Sequence, residues 1–180
     1  MTGYLTPLYQ LLSSPIGFIH AYRQQTPLKL CYLSIFIVSI SQLYRSGTLD
    51  SSILSHILCL VLFYTLFIAI QSVSIDFFGQ IFNLLPQSLR LFSWLGITFL
   101  PLALAPALYL LLISEWISPT IFMFCHYLIY GFILVWQVII VSILYKIPIK
   151  KGLLIYLFPL FAILLIFFIL LFFFVSSFFL

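Results

Sequence analysis

Asp76 is the residue in this 180-residue sequence whose type and position most invite chemistry. It is a carboxylate at the end of a long apolar run, and a charge in or beside hydrocarbon is costly enough to need a partner. Thr65, Ala69 and Ser72 precede it at spacings of four, three and four, so the four share one helix face. A stripe of small and hydroxyl residues suits close helix approach and hydrogen bonding between helices. An acid at its end can tie helices together or serve as a binding group. Gln71, Thr98 and Gln137 form a second set, each one to three turns in from the same end of a different apolar run. An unpartnered amide in hydrocarbon costs several kcal/mol, so these three are expected to form a polar layer, either as structural hydrogen bonding or as the lining of a solute path.

Two His and two Cys raise metal chemistry. His56 and Cys59 share a face of one run, and Cys125 and His126 sit at a similar depth in another. Adjacent helical residues point about 100° apart, so Cys125 and His126 cannot easily aim at one ion. No metal or cofactor is expected, and neither is a disulfide between Cys59 and Cys125. Cys31, beside Lys29, is a weak candidate for acylation. The sequence has no C-x-x-C, G-x-S-x-G, H-E-x-x-H or phosphate-loop pattern, and its three acidic residues lie far apart. The expectation is a protein that is not an enzyme.

The elements that position these residues follow from composition. With 65% hydrophobic and 6% charged residues, there is too little polar surface to cover a body in water. The solvent is lipid. A bilayer core takes about 20 apolar residues per helix, and five stretches qualify: residues 30–44, 53–75, 91–114, 120–145 and 153–175. The last holds 20 Leu, Ile, Phe or Val residues in 23, worth about −8 kcal/mol on the insertion scale. Without a small or polar stripe, it is expected at the bundle edge. The first has only 15 residues between Lys29 and Arg45 and contains Ser34, Ser39, Ser41 and Gln42, so it needs its neighbours. Pro101 and Pro106 should bend the third. The predicted fold is all-α and integral to the membrane: five transmembrane helices, 28–180, preceded by a leader, 1–27.

Charge orients this bundle. Arg23, Lys29, Arg90, Lys146, Lys150 and Lys151, six of the seven basic residues, fall on alternate connections that are cytoplasmic if the N-terminus is inside. Only Arg45 falls outside, which places the C-terminus externally. The leader lacks a cleavable signal pattern, and Pro15–Arg23 suits a short helix on the membrane surface or an ordinary approach to the first span. Between Gly79 and Arg90, the residues Gln80, Asn83 and Gln87 recur opposite Ile81, Phe82, Leu84 and Leu85. That spacing predicts an interfacial amphipathic helix interrupted at Pro86. The net charge of +4 is explained by the basic loops, with Lys146, Lys150 and Lys151 resting on anionic headgroups and no nucleic acid involved.

Three blocks carry a resemblance. LYQLLSSPIGFIHAYRQQTP resembles the leader of short bacterial members of the Yip-domain family, polytopic proteins named for binding Ypt or Rab GTPases in eukaryotes. IDFFGQIFNLLPQSLRLFSWLGITFLPLALAPALYLL is similar to that family's glycine after an apolar helix, short loop and proline-containing span. WQVIIVSILYKIPIKKGLLIYLFPLF resembles its Trp, basic loop and last span. The resemblance covers most of the chain and implies five spans, a cytoplasmic N-terminus and a bacterial inner (plasma) membrane. Asp76, Gly79, Arg90, Pro101, Trp136, Lys150 and Gly152 match the family pattern, none as a catalytic residue. The longer cytosolic N-terminal region of eukaryotic members, with its Asp-Leu-Tyr-Gly type motif, has no counterpart in this sequence, so GTPase binding is not part of the expectation.

The expected function is a non-catalytic membrane adaptor or organiser. Its partners would be the lipid bilayer and a membrane or cytoplasmic protein, with self-association open. Its candidate binding residues are Asp76, Gly79, Arg90, Gln71, Thr98, Gln137, Lys150 and Lys151. The alternative is a small transporter, lipid translocator or channel built on the kinked third span, Asp76 and the polar layer.

Overall fold

The computed structural model describes residues 14–46 and 53–176, and among them all regular structure is helical. Among the described residues, three stretches are long and apolar enough to cross a membrane: α3 (Ile53–Ile81), the composite run Ser88–Ile113 and α6 (Pro119–Tyr145). At 27 residues α6 is about 40 Å long. On α3, Leu58, Leu62, Leu66, Val73 and Phe77 are exposed, the outward apolar face that a lipid solvent requires. The chain is a helical membrane protein. A shorter helix, α2 (Leu28–Ser46), precedes α3, and α7 (Ile149–Ser176) follows α6. The leader before residue 14 and the connection 47–52 lie outside the described residues.

The composite run forms the core. Its first piece, α4 (Ser88–Thr98), is buried at every residue from Leu91 to Thr98, with α2, α3 and α6 packed around it. A 3₁₀ turn (Leu100–Leu104) then leads into α5 (Ala105–Ile113). The expected bend is thus a change of helix type, and Pro101 and Pro106 bracket its cause. Pro106 has no N–H to give the carbonyl of Leu102. That oxygen instead receives the N–H at Ala105 and, from α2, Gln42 Nε2 at 3.5 Å. Non-helical backbone at this depth survives where protein surrounds it.

α2 reconciles its polar residues with burial by bonding to itself. Ser34 Oγ donates to the carbonyl of Leu30 at 2.8 Å, Ser39 to Ile35 at 2.8 Å and Ser41 to Val38 at 2.7 Å. Its close approach to α4 depends on Gly96, where an added Cβ would meet Cys31 Sγ at 2.3 Å. Cys31 itself is fully buried, its thiol directed to the carbonyl of Phe92 at 3.7 Å. That removes it as an acylation site.

One expectation is corrected. The connection after α3 is not an amphipathic helix. α3 runs six residues past Ile75 to Ile81 and closes in a left-handed turn at Asn83 (φ 58°). There the N–H of Leu84 bonds the carbonyl of Gly79 (3.1 Å) and that of Asn83 bonds the carbonyl of Gln80 (2.9 Å). Pro86 then bars its preceding residue from helical geometry until α4 begins. The last helix has one packed face. Gly152, Ile155, Tyr156 and Pro159 of α7 are buried, and α7 packs on both α6 and α3. An added Cβ on Gly152 would lie 3.3 Å from the Ser142 nitrogen and 3.3 Å from the Val138 carbonyl oxygen, so glycine sets this approach. Beyond it, Phe161, Leu165 and Phe168 are exposed.

α1 (Pro15–Tyr22) packs on α6, with Phe18 and Ile19 buried and Phe18 edge-on to Trp94 at 5.8 Å. The indole N–H of Trp94 donates to the carbonyl of Gln25 at 3.3 Å, and Gln87 Nε2 donates to that of Leu144 at 3.3 Å. These bonds gather the segment after α1, the α3–α4 connection and the α6–α7 turn at one end of the bundle.

Candidate functional site

Asp76 is 2% exposed and accepts four hydrogen bonds, all from uncharged groups. Its Oδ1 receives the backbone N–H of Gln87 at 2.7 Å and the hydroxyl of Tyr145; its Oδ2 receives Ser88 Oγ at 2.6 Å and Gln80 Nε2 at 3.3 Å. A carboxylate offers about four lone-pair sites, and each is used. The donors come from α3 itself, the connection, the start of α4 and the end of α6, so one side chain ties three helices and a loop. Gly79 makes this reachable. It lies one turn on from Asp76, and the Tyr145 ring passes 3.4 Å from where its Cβ would stand.

Deeper in the bundle, Gln71, Thr98 and Gln137 come together as one network. Gln137 Nε2 donates to Thr98 Oγ1 at 3.0 Å, and the Thr98 hydroxyl donates in turn to the carbonyl of Leu95 at 2.6 Å. Gln71 Nε2 donates to Gln137 Oε1 at 3.2 Å and to the Tyr156 hydroxyl at 2.9 Å, which in turn donates to Gln137 Oε1. α3, α4, α6 and α7 each contribute one member. Only Gln71 Oε1 in this network is buried without a partner. The arrangement can fix helix register through directional bonds in low dielectric. It presents no nucleophile and no base beside one.

Tyr145 and Tyr156 are the members that sequence reasoning missed. Each falls in a run otherwise read as apolar, yet a phenol is an apolar body with a polar tip that seeks a partner when buried. Tyr156 carries the one polar side chain group between Leu153 and Val175, and that was the available signal.

The other candidate residues stand apart. Arg90 is half-buried beside Pro86 and Thr26, facing a cleft of about 430 Å³, and does not join the Asp76 cluster. Lys150 and Lys151 are exposed in the first turn of α7. Cys59 is exposed and Cys125 half-buried, while His126 stacks on Phe122 (5.7 Å) and meets Tyr130 edge-on (4.9 Å). Among the described residues, no three His, Cys, Asp or Glu side chains gather where one ion could be held. Comparison with protein families, curated proteins and solved structures found no match for the chain.

Proposed function

We propose that this is a non-catalytic, five-span membrane protein of the Yip-domain type. In this reading its N-terminus is cytoplasmic, and it organises a protein partner or lipids at its cytoplasmic face. The observation that carries the reading is the contrast between the two kinds of polar residue. Within the bundle, Asp76 spends all its acceptors on neighbouring elements and Gln137 is closed into its network. At the end of the bundle, Lys146, Lys150 and Lys151 are exposed on a turn that Gln87 and α1 brace. Rigid core and basic, accessible rim suit a platform better than a pathway.

One observation favours the transport reading: the unpartnered Gln71 Oε1 lies beside a helix whose regular geometry is broken. A single pair of measurements separates them. The tagged chain, purified in mild detergent, is expected to retain a stoichiometric protein partner that the Lys150→Ala/Lys151→Ala variant loses. In a background with Cys31, Cys59 and Cys125 changed to Ala, Gln71→Cys is expected to resist a membrane-impermeant thiol reagent. Rapid modification from the cytoplasmic side, with no partner retained, would replace the adaptor with a transporter.

A further inference from the structure

A cleft of about 340 Å³ lies between α1 and the end of α6. Its walls are apolar: Ile16 from α1, Ile139 and Ile143 one turn apart on α6, and Ile147 from the following turn. Its polar lining is almost entirely basic, with His20 and Arg23 arriving from α1 and its cap and Lys146 from the end of α6. No acidic side chain lines it. Of the three acids in the sequence, Asp76 is saturated elsewhere, Glu115 lies before the opposite end of α6, and Asp50 is outside the described residues.

We propose that this cleft is a binding site for one anionic phospholipid, with the phosphodiester held by Arg23, Lys146 and His20 and the first part of an acyl chain lying against the isoleucines. Three features select this occupant. The cleft is amphipathic along α6: Ile139 lies two turns inside the helix end and Lys146 just beyond it, so the charge is at the membrane surface and the apolar wall below it. The basic groups come from two elements that pack together, so their spacing is fixed by the fold and not by one flexible loop. A soluble anion would use the rim but leave the apolar walls against water, whereas a phospholipid uses both. The inference stands whether or not a protein partner binds nearby.

The backbone supplies a clean test. Lys146 ends α6 in the left-handed region (φ 55°), with the N–H of Ile147 bonded to the carbonyl of Ser142 at 3.0 Å. Glycine is the residue that this position tolerates best. Lys146→Gly therefore removes the charge while relaxing the chain, and its melting temperature in phosphatidylcholine should be no lower than that of the wild type. The purified full chain in neutral detergent is titrated with palmitoyl-oleoyl phosphatidylglycerol, phosphatidylcholine, sn-glycerol 3-phosphate and inorganic phosphate, following retained lipid by native mass spectrometry and melting by tryptophan fluorescence. One phosphatidylglycerol per chain is expected to survive transfer and raise the melting temperature, with phosphatidylcholine and the soluble phosphates giving neither effect. Lys146→Gly and Arg23→Gln should each weaken retention by about fivefold, while Lys29→Gln, an exposed basic position outside the cleft, leaves it unchanged. Equal retention of phosphatidylcholine would overturn the proposal. So would displacement by equimolar inorganic phosphate, or a loss in Lys29→Gln as large as that in Lys146→Gly, which would mean diffuse surface charge in place of a site.

Discussion

Asp76 shows how a charge is made tolerable at the edge of hydrocarbon without a counter-ion. Neutral donors from four segments each contribute part of the solvation that water would have given, and in low dielectric each bond is strengthened. Removing the carboxylate leaves the Tyr145 hydroxyl buried with nothing to accept its proton and frees the Gln87 and Ser88 ends of the connection. Asp76→Ala should cost about 3 kcal/mol, and Tyr145→Phe, which deletes one donor to a charged group, about 1.5 kcal/mol. Thermal melting in detergent should rank them in that order below the wild type; an Asp76→Ala protein as stable as its parent would mean that the cluster is incidental. At this scale the sequence was readable where a side chain broke the apolar pattern. Gln71, Thr98 and Gln137 were conspicuous for that reason and do meet. Tyr145 and Tyr156 were not, because hydropathy counts a phenol by its ring, and only the fold reveals which hydroxyl is buried beside an acceptor.

The helices themselves were legible, since runs of apolar residues in lipid have no other way to satisfy their backbone. Their interruptions were harder to read. Two prolines five residues apart predicted a bend, but a 3₁₀ turn between two helices depends on Ala105 and Gln42 reaching the carbonyl that Pro106 abandons. The amphipathic spacing from Gln80 to Arg90 was overridden by a left-handed Asn83 and by Asp76 gripping Gln87 and Ser88. Close helix contacts add a sharper consequence. A methyl group at Gly96 would overlap Cys31 Sγ at 2.3 Å, while the next atom, Cys31 Cβ, is an ordinary 3.5 Å away. Gly96→Ala alone should therefore cost about 1–3 kcal/mol through overpacking. Pairing it with Cys31→Ala, which removes the sulfur, should recover most of that loss. Melting temperatures of the two single variants and the double form the cycle, and strict additivity would refute direct α2–α4 contact at this point.

For the molecule as a whole, two independent arguments converge on the same end. The positive-inside rule groups the connections around Arg23, Arg90 and Lys146–Lys151 by charge. The hydrogen bonds from Trp94 to Gln25 and from Gln87 to Leu144 group the same segments by geometry, with no reference to charge. Glu115 and Trp116, in the turn between α5 and α6, lie a helix length away at the other end of α6, and Trp116 is 81% exposed. Single cysteines in the cysteine-free background give a direct reading: Gln24→Cys, Leu85→Cys and Lys150→Cys should all be shielded from an impermeant thiol reagent in intact cells and become reactive after the membrane is opened, whereas Trp116→Cys should label at once. A cysteine appended after Leu180 then counts the spans. If α7 crosses fully, that cysteine labels with Trp116→Cys, as five crossings demand. Labelling of the appended cysteine together with Lys150→Cys would mean that α7 turns back or lies along the surface. Its 20 Leu, Ile, Phe or Val residues in 23 make that the costlier outcome, because such a run gains about −8 kcal/mol from insertion and, with Tyr156 as its one polar side chain, has no polar face to offer water.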